Sequence, residues 1–189
     1  FEKMFQDGIC QVKHNYFTKM VEFYDINYEL LEIDDQGYIL EEYSKLINYF
    51  DPAIKFELFL FGRQVNERVL ADQFDIPLQQ DIFDDIREEY ATMLKKQAAK
   101  GNNGILKSKY IIFGMECNDL KEARSKLKNI EKDVIRNLNN IGTNAKALDG
   151  KERIRILYEY FNQGTMEPFH FSFKELAESG KSVKDYIAP

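Results

Sequence analysis

The chain has no tryptophan and only two cysteines, two histidines and four prolines in 189 residues. Each scarcity closes a class of answer. Cys10 and Cys117 form no CxxC pair and no secretory signal is present, so they read as two reduced thiols and not as a disulfide framework. His14 and His170 are the only imidazoles, and no ligand spacing for zinc surrounds them; both read as turn and solvent-face residues. No apolar run approaches the ~20 residues needed to span a bilayer. Positive charge is also short: 26 Lys and Arg stand against 32 Asp and Glu, a net charge of −6. That argues against a protein whose main task is gripping a phosphate backbone, though it leaves room for a local basic patch. Internal repeats and low-complexity segments are absent.

What is present is apolar and aromatic. Apolar residues make up 44% of the chain, with 15 Phe and 11 Tyr, enough for a core whose volume comes from benzyl rings. The length fits one ordinary domain over residues 1–189.

The clearest stretch runs from Asp81 to Ile141. A helix is predicted from about Asp81 to Lys100, with acids in its first turn and lysines near its end, the order that the helix dipole favours. Phe83, Ile86, Tyr90, Met93 and Gln97 mark its predicted inner face. Gly101-Asn102-Asn103-Gly104 stops it, and a strand from Ile105 to Met115 follows. A long helix then runs from Asp119 to about Ile141. Its apolar positions Leu120, Ala123, Leu127, Ile130, Val134, Leu138 and Ile141 alternate spacings of three and four, which makes one continuous stripe.

Upstream, Ile9–Lys13 and Tyr16–Tyr24 read as strands joined at His14-Asn15. The second has Phe17, Val21 and Phe23 on one face and Tyr16, Met20 and Tyr24 on the other, as for a strand covered on both sides. Asp34-Asp35-Gln36-Gly37 signals a helix start. The predicted helix, Tyr38–Phe50, has Tyr38, Leu40, Tyr43, Ile47 and Phe50 near one face and is stopped by Asp51-Pro52. Ile54–Phe61 is a strand, and Gly62–Gln80 an irregular connection and candidate mobile segment. Downstream, Thr143–Leu148 is a short strand. Asp149-Gly150-Lys151-Glu152 resembles a capping box opening a helix to Phe161. Phe169, Phe171 and Phe173 alternate with polar residues, the pattern of a half-buried strand. The tail at Glu178–Lys181 reads as a loop.

The expected fold class is α+β, a mainly antiparallel sheet packed with helices. The units 16–61 and 105–148 could pair as a ferredoxin-like split β-α-β with the Asp81 helix inserted; a larger antiparallel sheet with helices on one face is the alternative.

No catalytic constellation emerges. Gly101–Gly104 with Lys107-Ser108-Lys109 fails as a phosphate loop, because Leu106 replaces the required Gly before the Lys. It also leaves a helix to open a strand, the reverse of the polarity that aims helix amides at a phosphate. The acid pairs Asp84-Asp85 and Glu88-Glu89 read as a solvated helix face. Lys121, Arg124, Lys126, Lys128, Lys132 and Arg136 are interspersed with Glu122, Glu131 and Asp133, a mixed-charge face more than a nucleic-acid surface. The surplus aromatics are harder to place. Tyr16, Tyr24, Phe59 and Phe61 are difficult to hide together in one small core, so an aromatic protein-binding patch is expected from them.

Several blocks carry a family resemblance. Asp7-Gly8-Ile9-Cys10-Gln11-Val12, Tyr16-Phe17-Thr18-Lys19, Phe23 and Asp25-Ile26-Asn27-Tyr28 resemble the opening of the conjugation ATPases of the CagE/TrbE/VirB type, in the branch of Gram-positive conjugative elements. Asn48-Tyr49-Phe50-Asp51, Phe83–Tyr90, Ala99–Gly104, Asn144, Leu148–Arg153 and Lys184–Pro189 extend the resemblance over essentially the whole chain. The resemblance implies an N-terminal assembly domain of a type IV secretion motor, at the cytoplasmic face of the membrane. It would contact inner-membrane channel subunits or neighbouring motor subunits. The chain starts at Phe1 and reads as a piece of a larger protein, with ATP, Mg and the Walker motifs expected only in a C-terminal RecA-like domain. No cofactor and no catalytic residue is expected within residues 1–189. The alternative function is a nucleic-acid-binding module contacting transferred single-stranded DNA.

Overall fold

Strand β3 (Tyr16–Phe23) is the hub, and its sequence explains why. Phe17, Thr18, Lys19, Met20 and Val21 are all buried, so both faces of the strand are covered, as the two-sided apolar pattern predicts. The computed structural model describes residues 1–64, 76–101, 105–163 and 168–188. β3 pairs antiparallel with β2 (Cys10–Lys13) at its start and with β6 (Ala145–Ala147) at its end. On its other edge it pairs over its full length with β5 (Ile105–Glu116), from Tyr16 opposite Glu116 to Phe23 opposite Lys109. β1 (Lys3–Met4) lies outside β2, and β4 (Lys55–Gln64) lies outside β5. The two-residue β1 has no period long enough to be seen in the sequence. Asn15 takes a left-handed conformation (φ 64°) in the β2–β3 turn, which Asn tolerates better than most residues.

Five helices accompany the sheet among the described residues: α1 (Ile33–Tyr49), α2 (Asp84–Gly101), α3 (Leu120–Asn140), α4 (Gly150–Phe161) and α5 (Phe173–Ser179). The fold class is therefore α+β with a six-stranded antiparallel sheet, as the sequence predicts. α1 links β3 to β4 with β5 between those strands, and α3 links β5 to β6 with β3 between them.

α3 starts where Asp119 accepts a hydrogen bond from the Glu122 amide at 2.7 Å and Glu122 answers by accepting from the Asn118 amide. Ala123, Leu127, Ile130, Val134, Leu138 and Ile141 of its predicted stripe are buried against Phe17, Val21, Ile111 and Phe113 of the sheet and Leu46 of α1. Each of the buried Leu, Ile and Val side chains contributes about 1.5–3 kcal/mol by leaving water. On this face Lys19 forms a largely buried ion pair with Glu131.

The opposite sheet face is covered by α4. Asp149 and Glu152 form the predicted capping box. One turn on, the buried Arg153 guanidinium donates to the Gly8 carbonyl at 2.7 Å, the Thr18 carbonyl at 2.9 Å and Thr18 Oγ1 at 3.1 Å. It thereby ties α4 to β3 and to the turn before β2. Gly8 (φ 80°) and Gly150 permit this approach: a Cβ on Gly8 would sit 2.0 Å from the Leu148 carbonyl oxygen, and one on Gly150 2.1 Å from that of Phe5.

Three expectations need correction. The segment through Phe171 is no strand: no described strand pairs with it, and Phe173 already begins α5. Its alternation has a different cause. Phe171 is buried among Met4, Cys10, Ile154 and Ile187, with the Phe173 ring 4.9 Å and the Tyr186 ring 5.1 Å away. α1 begins at Ile33, with Asp34–Gly37 inside the helix, and its inner positions are Ile39, Glu42, Leu46 and Tyr49; Tyr38, Leu40, Tyr43 and Ile47 face outward. At and after the start of α2, the predicted inner residues Phe83, Ile86, Tyr90 and Met93 are exposed and Ala91 is buried; the side chain of Gln97, the fifth predicted inner residue, lies outside what the structure describes.

The chain divides into two compact units, residues 1–61 with 108–189, and residues 62–107. In the second, Arg87 at the start of α2 donates to Asp84 at 2.6 Å, Asp81 at 2.8 Å and Gln79 at 3.3 Å. β4 continues to Gln64. Most of the expected irregular connection (65–75) and the Asn102–Gly104 stop lie outside the described residues. No helix among the described residues is long and apolar enough to cross a membrane.

Candidate docking surface

Helix α1 carries two apolar stripes and the fold buries one. Ile39, Leu46 and Tyr49 turn toward α3, where the Tyr49 hydroxyl donates to Asp133 at 2.8 Å. Burial and that carboxylate push the Tyr49 phenol up to about 12. The second stripe, Ile33, Leu40, Tyr43 and Ile47, steps by seven, three and four residues and is exposed. Ile33 is 85% exposed and Leu40 61%. Leu30, in the 3-10 turn Tyr28–Leu30 just before the helix, is 83% exposed. Gln36 fastens that turn onto α1 by donating to the Tyr28 and Leu31 carbonyls at 3.2 and 3.0 Å.

Beside the stripe lies a groove of about 260 Å³, whose walls include Tyr24, Tyr28, Leu40, Tyr43 and Ile141. Its floor is held by Thr143, whose hydroxyl accepts from the Tyr24 amide at 3.1 Å and donates to the Tyr24 carbonyl. Burial and the adjacent Glu22 carboxylate push the Tyr24 phenol above its ordinary value, so it stays a neutral hydrogen-bonding group at neutral pH.

The charge around this surface is one-sided. From Tyr24 to Phe50 there are seven acids (Asp25, Glu29, Glu32, Asp34, Asp35, Glu41 and Glu42) and one base, Lys45, an excess of six that equals the net charge of the whole chain, −6. Lys45 is held by Glu42 at 2.7 Å and Glu41 at 2.9 Å, and Asp25 pairs with Lys109. Glu29, Glu32, Asp34 and Asp35 are exposed, and their carboxylates have no partner among the described residues.

The four aromatics expected to form one patch are dispersed. Tyr24 is 53% exposed at the groove just described. Phe61 is buried, and Phe59 is half-buried on the α4 face, stacked near Phe61 (6.0 Å) and Tyr110 (5.9 Å). Tyr16 is half-buried at the far end of β3, with the ammonium groups of Lys13 and Lys55 about 6 Å from its ring. The sequence places Leu40, Tyr43 and Ile47 near one face of the helix without indicating whether that face is covered. The signal that could have separated the two stripes is that Ile39, Leu46 and Tyr49 offer a second set at helical spacing.

A second groove of about 280 Å³ lies on the α4 face, bounded by Met20, Phe59, Ile112 and Ile156, with Cys10 and Arg153 at its base. Burial pushes the Cys10 thiol up and outweighs the lowering by Arg153 and Thr18, so Cys10 is a protonated thiol at neutral pH and not an activated nucleophile. Of the histidines, His14 is exposed in the β2–β3 turn and His170 lies 3.3 Å from Glu175 at the surface. The described residues contain no cluster of three or more His, Cys, Asp or Glu side chains placed to hold a metal ion.

Compared with models of protein families and with curated protein sequences, the chain matches none.

Proposed function

We propose that this chain is a non-catalytic assembly and docking domain at the N-terminus of a conjugative-transfer, type IV secretion motor ATPase. In this reading it works at the cytoplasmic face of the membrane and binds inner-membrane channel subunits or neighbouring motor subunits. ATP and Mg belong to a C-terminal domain of the parent protein. The motor identity comes from the sequence blocks that resemble the CagE/TrbE/VirB type. The docking role is carried by one observation, the uncovered Ile33-Leu40-Tyr43-Ile47 stripe with its neighbouring groove. Apolar surface of this kind costs free energy in water and is kept where a partner covers it. We read the β3-α1-β4-β5-α3-β6 order as a ferredoxin-like split β-α-β.

The test is affinity capture with the purified chain against the channel subunits encoded beside its gene, with single-stranded DNA as a parallel bait. Capture of a channel subunit and not of DNA is expected. Capture of DNA alone, lost on raising salt, would instead favour the nucleic-acid module. Of the six basic groups on α3, Arg124, Lys126 and Arg136 are tied to Asp7, Glu122 and Asp133, which leaves Lys121, Lys128 and Lys132 to that alternative.

A further inference from the structure

Resting on the docking reading, the structure points to the kind of partner: we infer that the α1 surface receives a cationic amphipathic helix of another protein. Two observations select this occupant. The exposed stripe repeats at seven, three and four residues, the spacing at which a second helix lies alongside and inserts its own aliphatic side chains. The rim is acidic and unneutralised: Glu29, Glu32, Asp34 and Asp35 are exposed, and the segment 24–50 holds charge equal to that of the whole chain. The dipole of α1 accounts for Glu32 at its N-cap and for Asp34 and Asp35 in its first turn, but not for Glu29 in the 3-10 turn ahead of it. Lys and Arg flanking the apolar face of the incoming helix would complete these carboxylates and set its orientation. The same charge disfavours a second copy of this chain, whose rim would be repelled, and an anionic lipid surface.

The experiment uses the whole chain and two synthetic helical peptides of Leu and Lys, or Leu and Glu, with identical apolar faces. Binding is read by fluorescence anisotropy at low and high salt. The Lys peptide is expected to bind and the Glu peptide not to. Replacing Glu29, Glu32, Asp34 and Asp35 by their amides should weaken binding about tenfold. Leu40→Ser with Ile47→Ser, both at exposed positions and so compatible with folding, should weaken it at least as much. Equal binding of both peptides, or Lys-peptide binding that survives both sets of substitutions, would overturn the inference. So would a dimer of the chain held by α1, or α1-dependent binding to phosphatidylglycerol vesicles. If neither peptide binds while a channel subunit is still captured, the cationic-helix inference fails and the docking reading stands. If the channel subunit is not captured either, both fail.

Discussion

Gly8 and Gly37 show how differently one residue type is constrained in this chain. Gly8 has a positive φ and its carbonyl is held by Arg153, so a methyl group there collides with the Leu148 carbonyl, whose own residue is tied to β3 by its amide hydrogen bond to the Met20 carbonyl. Gly37 lies inside α1 with open space around it. Gly8→Ala is expected to cost at least about 2 kcal/mol, while Gly37→Ala should stabilise by about 0.5–1 kcal/mol, both read from urea unfolding. The thiols make a second test at this scale. Cys10 and Cys117 are free and buried, in different clusters of the core, and burial pushes both above the ordinary thiol range. Neither should react with a thiol-specific disulfide reagent at pH 7.5 until the chain unfolds. Rapid stoichiometric labelling of the native protein would contradict their placement.

At the scale of elements, α1 gives the sharpest contrast. Leu46 is fully buried and Leu40 is 61% exposed, six residues apart on one helix. Leu46→Ala should cost about 2–5 kcal/mol in a denaturant titration, and Leu40→Ala less than about 0.5 kcal/mol. The α4 capping box predicts a pH dependence. Burial alone would push Glu152 up, but its hydrogen bonds from Lys146 and the Asp149 amide outweigh this and hold it below the ordinary carboxylate range. A carboxylate depressed by folding adds stability that is present above its unfolded value and is lost as pH falls toward the folded one. Stability should therefore decline below about pH 4, and Glu152→Gln should flatten that decline in acid unfolding followed by circular dichroism.

These elements also show what the sequence could and could not convey. The α3 stripe and the Asp149 cap were legible because each depends on spacing within one segment. The outward face of α1 was not, because two apolar stripes compete and only the tertiary partner, α3, decides which is buried. The alternation at Phe169, Phe171 and Phe173 was misleading for a related reason: one-sided burial of every second ring also arises where an extended segment lies over a core without joining a sheet. Of the four aromatics expected at one surface, Tyr24 lies at the groove beside α1 while Tyr16, Phe59 and Phe61 lie at another end or on another face of the sheet, since composition does not say which end or face a ring occupies.

At the scale of the whole molecule, the first unit has separate jobs on its two sheet faces. One is closed by α3 and by the inner side of α1. The other is closed by α4, with Arg153 as a buried staple. The outer side of α1 belongs to neither core, and it coincides with the chain's concentration of negative charge. That coincidence singles out α1 as the proposed docking element. The most direct test is to measure the affinity of a captured channel subunit for the wild-type chain and for Leu40→Ser/Ile47→Ser by isothermal titration calorimetry, after circular dichroism confirms that the variant is folded. A loss of tenfold or more, about 1.4 kcal/mol, is predicted. Unchanged affinity in a folded variant would show that the partner binds elsewhere and would contradict the account.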